Sequence, residues 1–137
     1  MNTIGRQFVS FTGVGLIGLA VDAGVFTLLT GAFAWSMAPA RAASVSGMVL
    51  VTWALNRAIT FAQHRSRRRG AELVRYALVQ ALGLVLNLSV FWLCLRSSAA
   101  LRQVPLLPLV FGAAAGFAFN FVVMRTLVFR GGRVAGG

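Results

Sequence analysis

The sequence predicts an all-α membrane protein of four transmembrane helices, and three observations predict it. Four apolar runs each reach the ~20 residues a helix needs to cross a hydrocarbon core. The joints between them are short, and the charges gather in or beside those joints. The runs are 8–31, 39–61, 76–95 and 106–129, with a basic joint over 62–75, and the chain reads as a single transmembrane domain, 1–137.

The first run follows Arg6 and carries Asp22 near its middle. Its apolar stretch is longer than the ~7–15 residues of a signal peptide, and an acid in its centre is foreign to one, so it is read as a span that stays. The second carries Arg57 near its end, the third has no charge, and the fourth carries Arg125 near its end. In the fourth, Gly112, Gly116 and Asn120 recur at i+4, the pattern of a close-packed helix seam.

Composition excludes several classes of function. The chain is 58% hydrophobic and 11% charged, with a net charge of +11 carried by arginines. In a soluble domain that charge would point to nucleic acid, but here the arginines are interspersed with lipid-soluble runs. Anionic lipid headgroups and lipid phosphates are therefore the expected partners, and nucleic acid is not. Cys94 and His64 each stand alone, so no metal site is expected and no cofactor is called for. There is no Ser/His/Asp set, no carboxylate pair and no glycine-rich phosphate loop, so no enzyme is expected.

Arginine placement sets the orientation. Arg6, Arg57, Arg65, Arg67, Arg68, Arg69, Arg75, Arg125, Arg130 and Arg133 fall on one side, and Arg41, Arg96 and Arg102 on the other. Across short joints the richer side is cytoplasmic, which puts both termini and the central joint inside. Trp35 and Trp92 lie near the outer interface, whereas Trp53 is deeper and fits no interfacial belt.

The chain also reads as two copies of a helix pair. Gly18-Leu-Ala-Val-Asp22 with Val25-Phe26 matches Gly83-Leu-Val-Leu-Asn87 with Val90-Phe91, and Arg57-Ala-Ile-Thr-Phe61 matches Arg125-Thr-Leu-Val-Phe129. Two spans per copy give a parallel repeat about an axis along the membrane normal. Asp22 is the sharpest functional signal, since a carboxylate at that depth persists only against a polar interior or a partner. Arg57 and Arg125 could reach the headgroups as snorkelling anchors, but as a repeated pair preceded by Asn56 and Asn120 they suit two-pronged phosphate contact. Glu72 can pair with Arg68 or Arg75 at helical spacing and needs no catalytic role.

These residues resemble the GtrA-like family of small four-helix membrane proteins. Arg6-Gln-Phe precedes a glycine-rich first helix, Asp22 leads to Val25-Phe26, and Asn56-Arg57 with Thr60-Phe61 closes the second helix. Arg75-Tyr76 opens the third, which holds Asn87, and Asn120 with Arg125 and Phe129 closes the fourth. Against a family pattern of roughly Asn-Phe-x-x-Asn-Arg, Thr52 replaces the earlier Asn in the first copy and Met124 the later one in the second.

The resemblance implies flipping of a polyprenyl-phosphate-linked monosaccharide across a bacterial cytoplasmic membrane, for cell-surface polysaccharide synthesis or modification. Arg57 and Arg125 would take the phosphate, and Asp22, Asn56, Asn87 and Asn120 would line a polar path for the sugar. Four helices are few for a closed path, so a homo-oligomer, a dimer first, or a groove open to lipid is expected. The rivals are a non-transporting partner of a membrane glycosyltransferase and a proton-coupled exporter of the small multidrug resistance kind.

Overall fold

A computed structural model describes residues 2–129 apart from Arg65 and Pro105. The orientation arginines Arg65, Arg130 and Arg133 therefore lie outside the described residues. The described chain is all helical: α1 (Thr3–Gly31), α2 (Met37–Leu55), α3 (Arg69–Ser97), the short α4 (Ala99–Gln103) and α5 (Leu106–Val123). Two π-helical turns follow α2 and α5, at Asn56–Thr60 and Met124–Val128, and a 3₁₀ turn spans Ala62–His64. Four helices, two of them counted with their π turns, are long and apolar enough to cross a membrane: Thr3–Gly31, Met37–Thr60, Arg69–Ser97 and Leu106–Val128.

The boundaries differ from those expected of 8–31, 39–61 and 76–95. Helix α1 begins five residues earlier, where the Asn2 side chain accepts the Gly5 N–H at 2.8 Å and caps it. Helix α3 begins at Arg69 rather than Tyr76, so half of the expected 62–75 joint is helix. Ala71, Glu72, Leu73 and Arg75 are good helix formers, and falling hydropathy marks the edge of the hydrocarbon rather than the end of the helix.

The chain forms two compact units, one within Met1–Arg69 and the other within Gly70–Arg130. In the first, α1 and α2 are joined through Ala32–Ser36. The Trp35 N–H donates to the Leu29 carbonyl at 2.9 Å, with Ala34 at φ 52° in the left-handed position that usually takes glycine. Ser and Thr hydroxyls turn back onto their own helices, as Thr12 does on the Phe8 carbonyl and Thr126 on that of Val122. Such back-bonding satisfies polar groups where no water reaches. Leu16, Leu19, Leu84, Val85, Leu93 and Leu106 face outward, as expected where the surrounding solvent is lipid.

The buried residues of α1 are Gln7, Phe11, Val14 and Gly18, and those of α3 are Glu72, Tyr76, Val79 and Gly83, each 65 positions later. In the second helix of each unit, Ala40, Ser44, Asn56 and Thr60 correspond in the same way to Pro108, Gly112, Met124 and Val128, each 68 positions later. Each hairpin is closed at its π end by an edge-on aromatic pair. Phe11 meets Phe61 with ring centroids 6.3 Å apart, and Tyr76 meets Phe129 at 6.1 Å. Those two pairs obey the same offsets.

Glycine decides how closely the helices approach. A Cβ at Gly112 would lie 2.5 Å from the Asn87 carbonyl oxygen, and one at Gly116 2.7 Å from the Gly83 carbonyl oxygen. In the first unit, a Cβ at Gly18 would meet the Thr52 methyl at 2.5 Å. Gly24 and Gly31 have open space instead.

Backbone carbonyls cannot step aside, so Gly112→Ala and Gly116→Ala must part α3 from α5, at about 1–3 kcal/mol each. Their melting temperatures in detergent should fall clearly below the parent's, while Gly24→Ala should match or exceed it. Equal melting of Gly112→Ala and Gly24→Ala would show that the seam is not as close as described.

Candidate functional site

The sequence's candidates fall into three places. Asp22 lies on α1 one turn beyond Gly18, and its carboxylate has a partner of the kind that its depth calls for. Arg41, in the second turn of α2, donates from Nη1 to Asp22 Oδ2 at 2.7 Å. The Asp22 side chain is 13% exposed and that of Arg41 59%. The other carboxylate oxygen, Oδ1, is buried with no hydrogen-bond partner among the described residues. Sequence reasoning had placed Arg41 only in the topology count. A signal was available, because Asp22 and Arg41 are the sole charged residues between Arg6 and Arg57.

At the other end of the same hairpin, Arg57 is the second residue of the first π turn. A guanidinium there is held from two directions. It lies 5.9 Å from the centroid of the Trp53 ring, and Nη2 donates to the Ser66 carbonyl at 2.9 Å. The depth of Trp53, which no interfacial belt explains, is accounted for by this contact at i+4. Asn56 is buried beside Arg57, and Thr60 completes the buried face of the π turn, its Oγ1 lacking a partner among the described residues. Gln7 Oε1, on the facing α1 surface, is likewise buried and without one.

The second unit is built differently. Arg125 is also the second residue of its π turn, but it is exposed. The positions matching Asn56 and Thr60 are Met124 and Val128. Arg57 and Arg125 are therefore not equivalent: the first is pinned to its own unit and the second is open.

Asn87 and Asn120 belong to the α3–α5 seam. The Asn87 side chain lies against Gly112 and Gly116, and that of Asn120 against Gly83. Asn120 Nδ2 donates to Gln80 Oε1 at 2.8 Å, a partner the sequence reading passed over. Both amides thus make their described contacts within the α3–α5 seam. Glu72 is fully buried in the first turn of α3, whereas Arg68 and Arg75 are exposed. Arg75 Nε instead donates to the Ala71 carbonyl at 3.1 Å.

A π turn closes i→i+5 bonds and so accommodates one extra residue in the helix, which swings the following side chains around the axis. Here Phe61 and Phe129 N–H groups donate to the Asn56 and Met124 carbonyls at 2.8 and 2.9 Å. Nothing in the apolar periodicity marks these turns. Their recurrence places an arginine at the same register of each helix end.

The model of one family, described as GtrA/DPMS, transmembrane domain, matches residues 10–129, which takes in most of the first span and the whole of the other three. A comparison with curated proteins gave no match.

Removing Gln80 tests the seam's polar contact. Gln80→Leu should cost about 1 kcal/mol by stranding the Asn120 amide, and adding Asn120→Ala should recover part of that loss. A single variant that melts like the parent would show that the contact contributes nothing.

Proposed function

The chain belongs to the GtrA/DPMS transmembrane-domain family, and from that premise we propose that it moves a polyprenyl-phosphate-linked monosaccharide across a bacterial cytoplasmic membrane. The observation that carries the reading is the extent of the family match, 10–129, over a chain with four membrane-length helices. In this proposal the protein makes and breaks no covalent bonds, and both termini face the cytoplasm.

The geometry supports it through the two π turns. An arginine at the end of a membrane helix, where hydrocarbon gives way to headgroups, can meet a lipid phosphate while the prenyl chain stays in the bilayer. Arg125 is the open guanidinium and makes the first contact. Arg57, steadied by Trp53 and Ser66, offers a fixed donor set to the same class of ligand. Asn56 and Asp22 serve the sugar hydroxyls along the first hairpin. The pairing of Asp22 with Arg41 speaks against a lone membrane acid that ferries protons, the basis of the exporter reading.

Reconstitution in liposomes with a short-chain prenyl-phosphate hexose tests the proposal. The parent should move the lipid between leaflets faster than protein-free vesicles do. Arg125→Lys keeps the charge and loses the fork, and should slow movement about tenfold, the equivalent of one charge-assisted hydrogen bond. Arg57→Lys should slow it at least as much, since the contact with the Trp53 ring goes too. If the parent gives no acceleration, the chain is a non-transporting partner, and if both lysine variants match the parent, the arginines are headgroup anchors.

A further inference from the structure

Helix α2 with its π turn carries a guanidinium near each end. Arg41 and Arg57 are 16 residues apart, about 24 Å along a helix, most of the thickness of a hydrocarbon core. Arg57 belongs to the end already assigned to lipid phosphate. Arg41, at the far end, is engaged differently. One nitrogen bonds Asp22 Oδ2, and the side chain is more than half exposed, which leaves guanidinium donors within reach of a ligand.

The carboxylate beneath it carries a second signal. Asp22 Oδ1 is buried and accepts no hydrogen bond from the described residues, although an ionised carboxylate can accept several. A buried acceptor left open costs free energy unless something supplies a donor. Arginine donors beside an open carboxylate acceptor are complementary to one chemical pattern in particular, an anionic oxygen and a hydroxyl held a few bonds apart on one molecule. A phosphate ester of a sugar has that pattern, with its hydroxyls on carbon several bonds from the anionic oxygen, a spacing that inorganic phosphate lacks.

The second unit lacks the arrangement. Asn87 occupies the place of Asp22 but is packed against Gly112 and Gly116, and the position matching Arg41 is Leu109. The pair is therefore a feature of the first hairpin alone and not a requirement of the repeated fold.

We infer that Arg41 and Asp22 form a second binding position for the glycosylated lipid phosphate, at the opposite end of the first hairpin from Arg57, with Arg41 contacting a phosphate oxygen and Asp22 Oδ1 accepting a sugar hydroxyl. This rests on the transport reading and adds the far-side station that transport needs. The negative carboxylate also selects between ligands. It repels the doubly charged phosphate of an empty prenyl carrier more than the singly charged diester of a loaded one, and only the loaded one offers a hydroxyl in return.

The experiment uses the full chain in nanodiscs and a photoreactive short-chain prenyl-phosphate hexose, with the reactive group on the sugar and cross-links mapped by mass spectrometry. Cross-links are expected in two zones of the first unit, around Arg41 and around the π turn at Arg57. Asp22→Asn with Arg41→Gln replaces the ion pair by two amides that can still bond each other. It should melt near the parent and lose the Arg41-zone cross-links about tenfold while keeping those at the π turn. Asp22→Asn alone should narrow the preference for the loaded lipid over unglycosylated prenyl phosphate as competitor in the Arg41 zone. Undiminished Arg41-zone cross-links in the double variant would overturn the inference and leave the pair as a clasp between α1 and α2. Parent cross-links at the π turn only would overturn it too, while leaving the transport reading intact. A parent with cross-links in neither zone would overturn both.

Discussion

Helices in a bilayer cannot draw on water's rejection of apolar surface to find each other, because lipid chains solvate leucine as well as a neighbouring helix does. Pairing in each hairpin rests instead on backbone approach at glycine. Gly18 makes room for Thr52, and Gly112 and Gly116 admit the carbonyl oxygens of Asn87 and Gly83. The polar residues are placed by the same constraint. Asp22 and Asn87 follow Gly18 and Gly83 by one turn, so each lies next to the narrowest gap of its pair. In the second unit the amide fills that gap. In the first the carboxylate meets Arg41 and keeps one oxygen open.

The opposite end of each hairpin is set by a π turn and an aromatic pair. Phe61 and Phe129 are buried against Phe11 and Tyr76, and each fixes the last residue of a helix that carries one residue more than α geometry allows. The arginine at the second position of each turn is thereby held in a defined register. The two units differ around it. Asn56 and Thr60 give the first turn a polar face, and Met124 and Val128 give the second an apolar one. Under the proposed function, a pinned Arg57 and an open Arg125 would take different parts in handling the lipid phosphate.

Much of this was legible in the sequence, for physical reasons. Span number follows from the length of the apolar runs, and the glycine seam of α5 from its i+4 spacing. At the offsets of 65 and 68 that match Asp22 with Asn87 and Arg57 with Arg125, other positions share burial, among them Phe11 with Tyr76 and Phe61 with Phe129, although Arg57 and Arg125 themselves differ. The helical start of α3 was missed because hydropathy reports the solvent around a segment, not its backbone. The π turns were missed because an i→i+5 bond leaves no compositional mark. Arg41 was missed as the partner of Asp22 because charge counts were used to orient the chain and not to pair residues across a turn. Gln80 was passed over because a neutral amide in an apolar run alters neither hydropathy nor charge.

All of this presumes that the Arg41 end and the Arg57 end of the first hairpin face opposite sides of the membrane, with the π end in the cytoplasm. Single-cysteine labelling in intact cells measures it directly, on a Cys94→Ser background with Ser36→Cys at one end and Gln63→Cys at the other, both exposed positions. A membrane-impermeant thiol reagent added outside should label Ser36→Cys and leave Gln63→Cys untouched until the cells are opened. Labelling of Gln63→Cys from outside, or of both positions to similar extents, would contradict a single orientation and with it the assignment of an entry and an exit end.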